Sequence, residues 1–127
     1  MTNESVNSPD APTTTNAAGG KQSELPARFD LLPPHATQCV AEILHQGNCK
    51  YDSEDGQPVK EDTPNWYSIT SWEHLNHAMA HINSHNMGDT SDDHLGHAAC
   101  RMLMALEIFI SETRSARQSE PDPSPSE

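Results

Sequence analysis

Residues 64–113 read PNWYSITSWEHLNHAMAHINSHNMGDTSDDHLGHAACRMLMALEIFISET, and this stretch decides the fold. Its apolar residues return at steps of three and four: Ile69, Trp72, Leu75, Met79 and Ile82, then Leu95, Ala99, Met102, Leu106 and Phe109. That is the period of an α-helix, and no alternation of period two competes with it. Thr63 and Pro64 supply an N-cap and a first-turn proline, so the spacing predicts a helix over about Pro64 to Asn86. Met87-Gly88-Asp89 breaks it. Thr90, Ser91, Asp92 and Asp93 then offer caps and first-turn acids, which predicts a second helix ending at about Thr113. The C-terminal half of that helix is apolar over most of its circumference. On a small domain so wide a stripe points to a partner surface, which a homo-oligomer of helical hairpins would bury.

Upstream, Pro33 and Pro34 suit a first helical turn, and Ala36, Val40, Ile43 and Leu44 share a stripe until Gly47 offers a left-handed stop. A helix over about Pro34 to Gln46 is expected. Asn48 to Thr63 is dense in Asp, Glu, Gly and Lys without either period, and reads as a long polar loop of the kind that tends to be functional. At the ends, Met1 to Glu24 and Ser115 to Glu127 lack the apolar content to offset chain entropy and read as disordered tails. The expected architecture is all-α: a small helical bundle over residues 25–114, flanked by disordered N- and C-terminal tails.

The full chain of 127 residues carries 7 basic against 19 acidic side chains, a formal charge of −12, and is 33% hydrophobic. Within residues 25–114 there are 13 acids and 5 bases, a balance of −8. Such a charge argues against direct DNA binding or an anionic membrane, and it suits an acidic site that holds cations. Cys39, Cys49 and Cys100 are odd in number and have no CxxC spacing, so no disulfide framework is expected. No apolar run approaches the roughly 20 residues of a membrane span, and the N-terminus has no basic-then-apolar leader. A soluble cytoplasmic protein is expected.

Six of the eight histidines fall between His74 and His97. Glu73, His77, His81 and His85 follow one another at intervals of four along one helix face, with His74 beside them. On the next helix Asp93, His94 and His97 occupy a turn and a half. An antiparallel hairpin brings the region of His81 opposite the start of the second helix, and imidazoles and carboxylates on facing helices are the way bundles hold divalent metals. Neither HExxH nor a His-Asp dipeptide occurs, which excludes the zinc-protease and HD phosphohydrolase strings. His35, His45 and His85 are left as solvated or structural. Lys50-Tyr51 and Asn65-Trp66 stand at the two ends of the polar loop and provide a phosphate-binding cation, stacking rings and a base-edge amide. For Trp66 a plain core role weighs equally. Arg28 and Asp30 read as an ion pair ahead of the first helix.

In order, Arg28-Phe29-Asp30-Leu31-Leu32-Pro33-Pro34, Gly47 with Lys50-Tyr51, Asn65-Trp66, Ala80-His81, Gly88-Asp89 and His94-Leu95-Gly96-His97-Ala98-Ala99-Cys100 resemble the motifs of the phage and bacterial dATP/dGTP diphosphohydrolases, the MazZ-type relatives of MazG. The resemblance covers nearly all of Leu25 to Phe109. It implies a MazG-like helical fold and an oligomer, dimer or tetramer. The implied reaction is divalent-metal-dependent hydrolysis of a purine deoxynucleoside triphosphate to monophosphate and pyrophosphate, in phages that replace adenine by 2-aminoadenine. The chain departs from the pattern at Ala80, where the family has Arg, and at His94-Leu95-Gly96-His97, where MazG-type enzymes place acidic magnesium ligands. Imidazole suits manganese, cobalt or zinc better than magnesium.

On this basis Glu73 and Asp93 are the expected catalytic carboxylates and His77, His81, His94 and His97 the expected metal ligands. Arg28, Lys50, Tyr51, Asn65 and Trp66 are the expected substrate-binding residues. The alternative of a different class is a non-catalytic His-rich helical module that binds metal or docks a partner.

Overall fold

The computed structural model describes residues 10–60 and 63–119 and divides into an N-terminal unit, Met1–Pro33, and a helical unit, Pro34–Glu127. Residues 1–9 and 120–127 of the expected tails lie outside the described residues. In the N-terminal unit, β1 (Thr13–Thr15) pairs antiparallel with β2 (Lys21–Ser23), with Thr14 opposite Gln22. The turn between them is held by the Asn16 side chain, whose Oδ1 accepts from the N–H groups of Ala18 and Gly20, and by Gly19 at φ +88°. Asn and Gly build this turn locally, so a segment expected as tail carries a hairpin. A 3-10 turn, Phe29–Leu31, follows. There Asp30 takes a two-point bond from Arg28, at 2.9 Å from Nε and 2.5 Å from the terminal guanidinium nitrogen.

The helical unit consists of α1 (Pro34–Gly47), α2 (Ser71–Asn86) and α3 (His94–Ser119). Gly47 does not stop α1 in a left-handed conformation. It is right-handed at φ −63°, and the chain runs on into a wide turn over Asn48–Asp52. The helix expected from Pro64 begins instead at Ser71, because Thr70 and Glu73 form a complete capping box, while Asn65–Ser68 make a separate 3-10 turn. α2 ends in a Schellman motif: Gly88 N–H donates to His85 O, Asp89 N–H to Ser84 O, and Gly88 adopts φ +83°. α3 outlasts the expected Thr113 and reaches Ser119. The residues after Thr113 tolerate a helix, Arg117 in the last turn suits the dipole, and no proline intervenes before Pro121.

α2 and α3 form an antiparallel hairpin, with α1 packed against α3. The buried apolar residues are mostly small: Ala78 on α2, and Ala98, Cys100, Ala105 and Ile108 on α3. They allow the two helices to approach closely, and the one buried polar side chain among the described residues, His74, sits among them. The apolar stripes counted in the sequence are elsewhere. Trp72, Leu75, Met79 and Ile82, and likewise Leu95, Met102, Leu106 and Phe109, are all exposed.

Candidate functional site

The hairpin register sets His81 of α2 against the first turn of α3. His81 Nδ1 lies 3.0 Å from His94 Nδ1. The ring of His97, one turn on, stacks on that of His81 with centroids 5.1 Å apart and planes 20° apart. The turn contributes two acids: Asp89 Oδ2 is 3.0 Å from His94 Nε2, and Asp92 Oδ1 is 3.4 Å from His97 Nε2. Donor atoms of His81, Asp92 and His94 all fall within 4.8 Å of one another, the spacing of a metal-ligand set. Asp89 also accepts from the Ser91 N–H. That bond, then the Ser91 hydroxyl and His94, hold its carboxyl at about 2. Burial, followed by the neighbouring imidazoles of His97 and His94, pushes His81 below the usual imidazole range. His81 therefore keeps a lone pair at neutral pH, as a ligand requires.

Next to this group is a cleft of about 610 Å³, within the size range of small-molecule sites. Its wall includes Lys50, Tyr51, Asn65, Trp66, His97 and Arg101. Two loop side chains bring the ends of the polar loop together. Asn48 Oδ1 accepts from Val59 N–H at 2.8 Å while its amide donates to Asp52 Oδ2 at 3.1 Å, and Asp52 Oδ1 accepts from Asn65 N–H at 2.9 Å. Lys50 Nζ lies 4.9 Å from the centre of the Tyr51 ring, and Trp66 stacks on Tyr67 at 4.1 Å.

The family model of the dATP/dGTP diphosphohydrolase N-terminal domain matches residues 16–118. The chain belongs to this dATP/dGTP diphosphohydrolase family. No curated protein and no solved structure is significantly similar to it.

Within the diphosphohydrolase domain the expected site residues are placed unequally. His81 and His94 share the cluster of donor atoms with Asp92, His97 flanks it, and His77 stands exposed one turn earlier on α2. Lys50, Tyr51, Asn65 and Trp66 converge on the cleft. Arg28 is in the N-terminal unit, engaged with Asp30. Glu73 and Asp93 are not brought to the histidines. Glu73 caps α2, accepting from both the N–H and the hydroxyl of Thr70, and those bonds lower its pKa. It lies about 12 Å along the helix from His81. Asp93 caps α3: Oδ1 accepts from Gly96 N–H at 3.0 Å, and Oδ2 accepts from the Cys39 thiol of α1 at 3.2 Å.

Three residues carry more than their spacing announced. Asp92, read as a cap or first-turn acid, supplies the third of the clustered donor atoms, and Asp89, read as part of the helix break, orients His94. His74, read as a neighbour of the row, is fully buried. Its ring bridges Trp66 O, 2.9 Å from Nε2, and the Arg101 guanidinium, 3.1 Å from Nδ1. The signal for Asp89 and Asp92 was their position in a turn facing His81. For His74 the local signal was Ala78, one turn on along the same face of α2.

Proposed function

We propose that the chain hydrolyses purine deoxynucleoside triphosphates, dGTP and dATP, to the monophosphate and pyrophosphate with a divalent metal. The observation that carries this reading is the adjacency of ligand set and cleft: His97 lines the cleft, and its ring stacks on His81. The donors fit a cation. Asp89 Oδ2 accepts a hydrogen bond from His94 Nε2–H, which leaves the His94 Nδ1 lone pair facing His81 Nδ1, the carboxylate–imidazole arrangement that orients metal-binding histidines. Two imidazoles and a carboxylate suit manganese, cobalt or zinc better than magnesium. An ion held there supplies Lewis acidity to the phosphate oxygens and makes water acidic enough to attack.

The remaining roles fall to side chains. Trp66 and Tyr51 offer aromatic surface for the base, the Asn65 amide can pair with a base edge, and Lys50 brings positive charge to the phosphates. A chain of charge −12 repels a bare triphosphate, so cation dependence is built into the reading. The test is a panel of the common nucleoside triphosphates with manganese, magnesium or cobalt, with products resolved as pyrophosphate or single phosphates. Pyrophosphate and dGMP formed only with metal support the proposal. Metal binding without turnover of any triphosphate overturns it in favour of a non-catalytic metal-binding module.

We also propose a homo-oligomer. The hairpin buries mostly alanines and leaves Trp72, Met79, Leu106 and Phe109 in solvent. A second copy presenting the same stripes covers both faces at once, the self-complementary arrangement of a two-fold dimer.

A further inference from the structure

We propose that Arg101 binds the phosphate chain of the ligand that enters the cleft, and that His74 is the positioning residue that holds it there; this rests on the nucleotide reading above. Arg101 is half-buried on α3 and lines the cleft together with Lys50. Its neighbour is a neutral ring. Arginine has donors only, so His74 Nδ1 must accept from it, which places the imidazole proton on Nε2, where it donates to Trp66 O. Among the described residues no carboxylate lies within ion-pair distance of Arg101, in a chain with 19 acids. The one acid of the cleft wall, Asp52, already accepts at both oxygens, from Asn65 N–H and from the Asn48 amide.

A partly desolvated guanidinium with no counter-ion is costly unless an anion completes it, and its planar fork matches phosphate oxygens at two points. One guanidinium nitrogen is engaged by His74, which leaves the other donors of the fork to the cleft. Trp66 and Arg101 hang on the same buried imidazole. His74 thereby ties the backbone of Trp66 to the Arg101 guanidinium, two residues that both line the cleft.

The experiment titrates inorganic tripolyphosphate, dGTP and deoxyguanosine into the full chain in magnesium buffer, for wild type, Arg101→Gln, Arg101→Lys and His74→Gln. Arg101→Gln is expected to weaken tripolyphosphate and dGTP by about tenfold or more and to leave deoxyguanosine unchanged, because one charge-assisted pair is lost. Arg101→Lys recovers part of the loss, since charge returns without the fork. His74→Gln raises KM for dGTP more than it lowers kcat; if that variant does not fold, Arg101→Gln decides alone. Tripolyphosphate binding that is equal in wild type and Arg101→Gln overturns the inference, even where dGTP is hydrolysed. Arg101-dependent tripolyphosphate binding without hydrolysis of any nucleotide upholds it and overturns the hydrolase reading instead.

Discussion

His94 touches two groups at once: its Nδ1 meets His81 Nδ1 at 3.0 Å, and its Nε2 meets Asp89 Oδ2 at 3.0 Å. The carboxylate thus fixes which nitrogen of His94 carries the proton and which keeps its lone pair. Asp89→Asn keeps the turn geometry and removes the charge. It is expected to lower manganese affinity by roughly 10–100-fold, the usual cost of losing such a partner. Competition against a chromophoric chelator measures this, with helix content followed by circular dichroism. Unchanged affinity would mean that the cation binds elsewhere.

Gly96 tests the seam between α1 and α3. A glycine-to-alanine change inside a helix ordinarily stabilises by about 1 kcal/mol. Here a Cβ would come within 2.8 Å of Cys39 Sγ and collide with the Asp93 carboxylate that caps the helix. Gly96→Ala is therefore expected to destabilise the protein by about 1–3 kcal/mol in urea unfolding. Adding Cys39→Ala should return part of the loss, and a stabilised single variant would contradict the packing at this seam.

The helices were legible because their period is a local property; which face of each helix turns inward was not. Trp72, Leu75, Met79 and Ile82 do share a stripe, while Ile69 lies before the helix, and the side of α2 packed against α3 carries His74 and Ala78. Close helix approach selects small residues there, and His74 is acceptable in the interior only because Trp66 O and Arg101 satisfy it, partners set by the tertiary fold. Glu73 illustrates the opposite case. Its four-residue spacing to His77 suggested a ligand row, while Thr70-Ser71-Trp72-Glu73 already spelled a capping box. The meeting of Lys50 and Tyr51 with Asn65 and Trp66 followed from their places at the ends of one loop. The Asn48 and Asp52 bonds that hold those ends together involve ordinary loop residues with no sequence signature.

The exposed stripes set the third prediction. Leu106 and Phe109 are more than half exposed in the single chain, at 54% and 59%. Replacing either with Glu places a charge in the face assigned to the second copy, where it would be desolvated without a partner. The expected result is dissociation to monomer by size exclusion with light scattering. In an unaffected monomer, the same changes at exposed positions would shift stability by no more than about 0.5 kcal/mol. Wild-type protein that is already monomeric at micromolar concentration would refute the dimer.

His74 makes the stability of the hairpin depend on pH in a direction that can be worked out. Burial, the largest influence, holds the imidazole below its ordinary value of 6.5; the Trp66 carbonyl, next in size, opposes it, the charges of Arg101 and His77 act with burial, and Glu73 opposes them least. Below pH 6.5 the unfolded chain takes up a proton that the native ring refuses. The contribution of His74 is therefore fully present above that pH and is lost as the pH falls towards the native value, at no more than about 1.4 kcal/mol per pH unit. His74→Gln cannot titrate, so it lacks this slope although it is less stable at pH 7.5. Urea unfolding of both proteins at pH 7.5, 6.5 and 5.5 should show the gap between them narrowing as the solution becomes more acidic. A gap that stays constant would mean that His74 takes up its proton equally well folded and unfolded, and that the neutral bridge between Trp66 and Arg101 does not persist in solution.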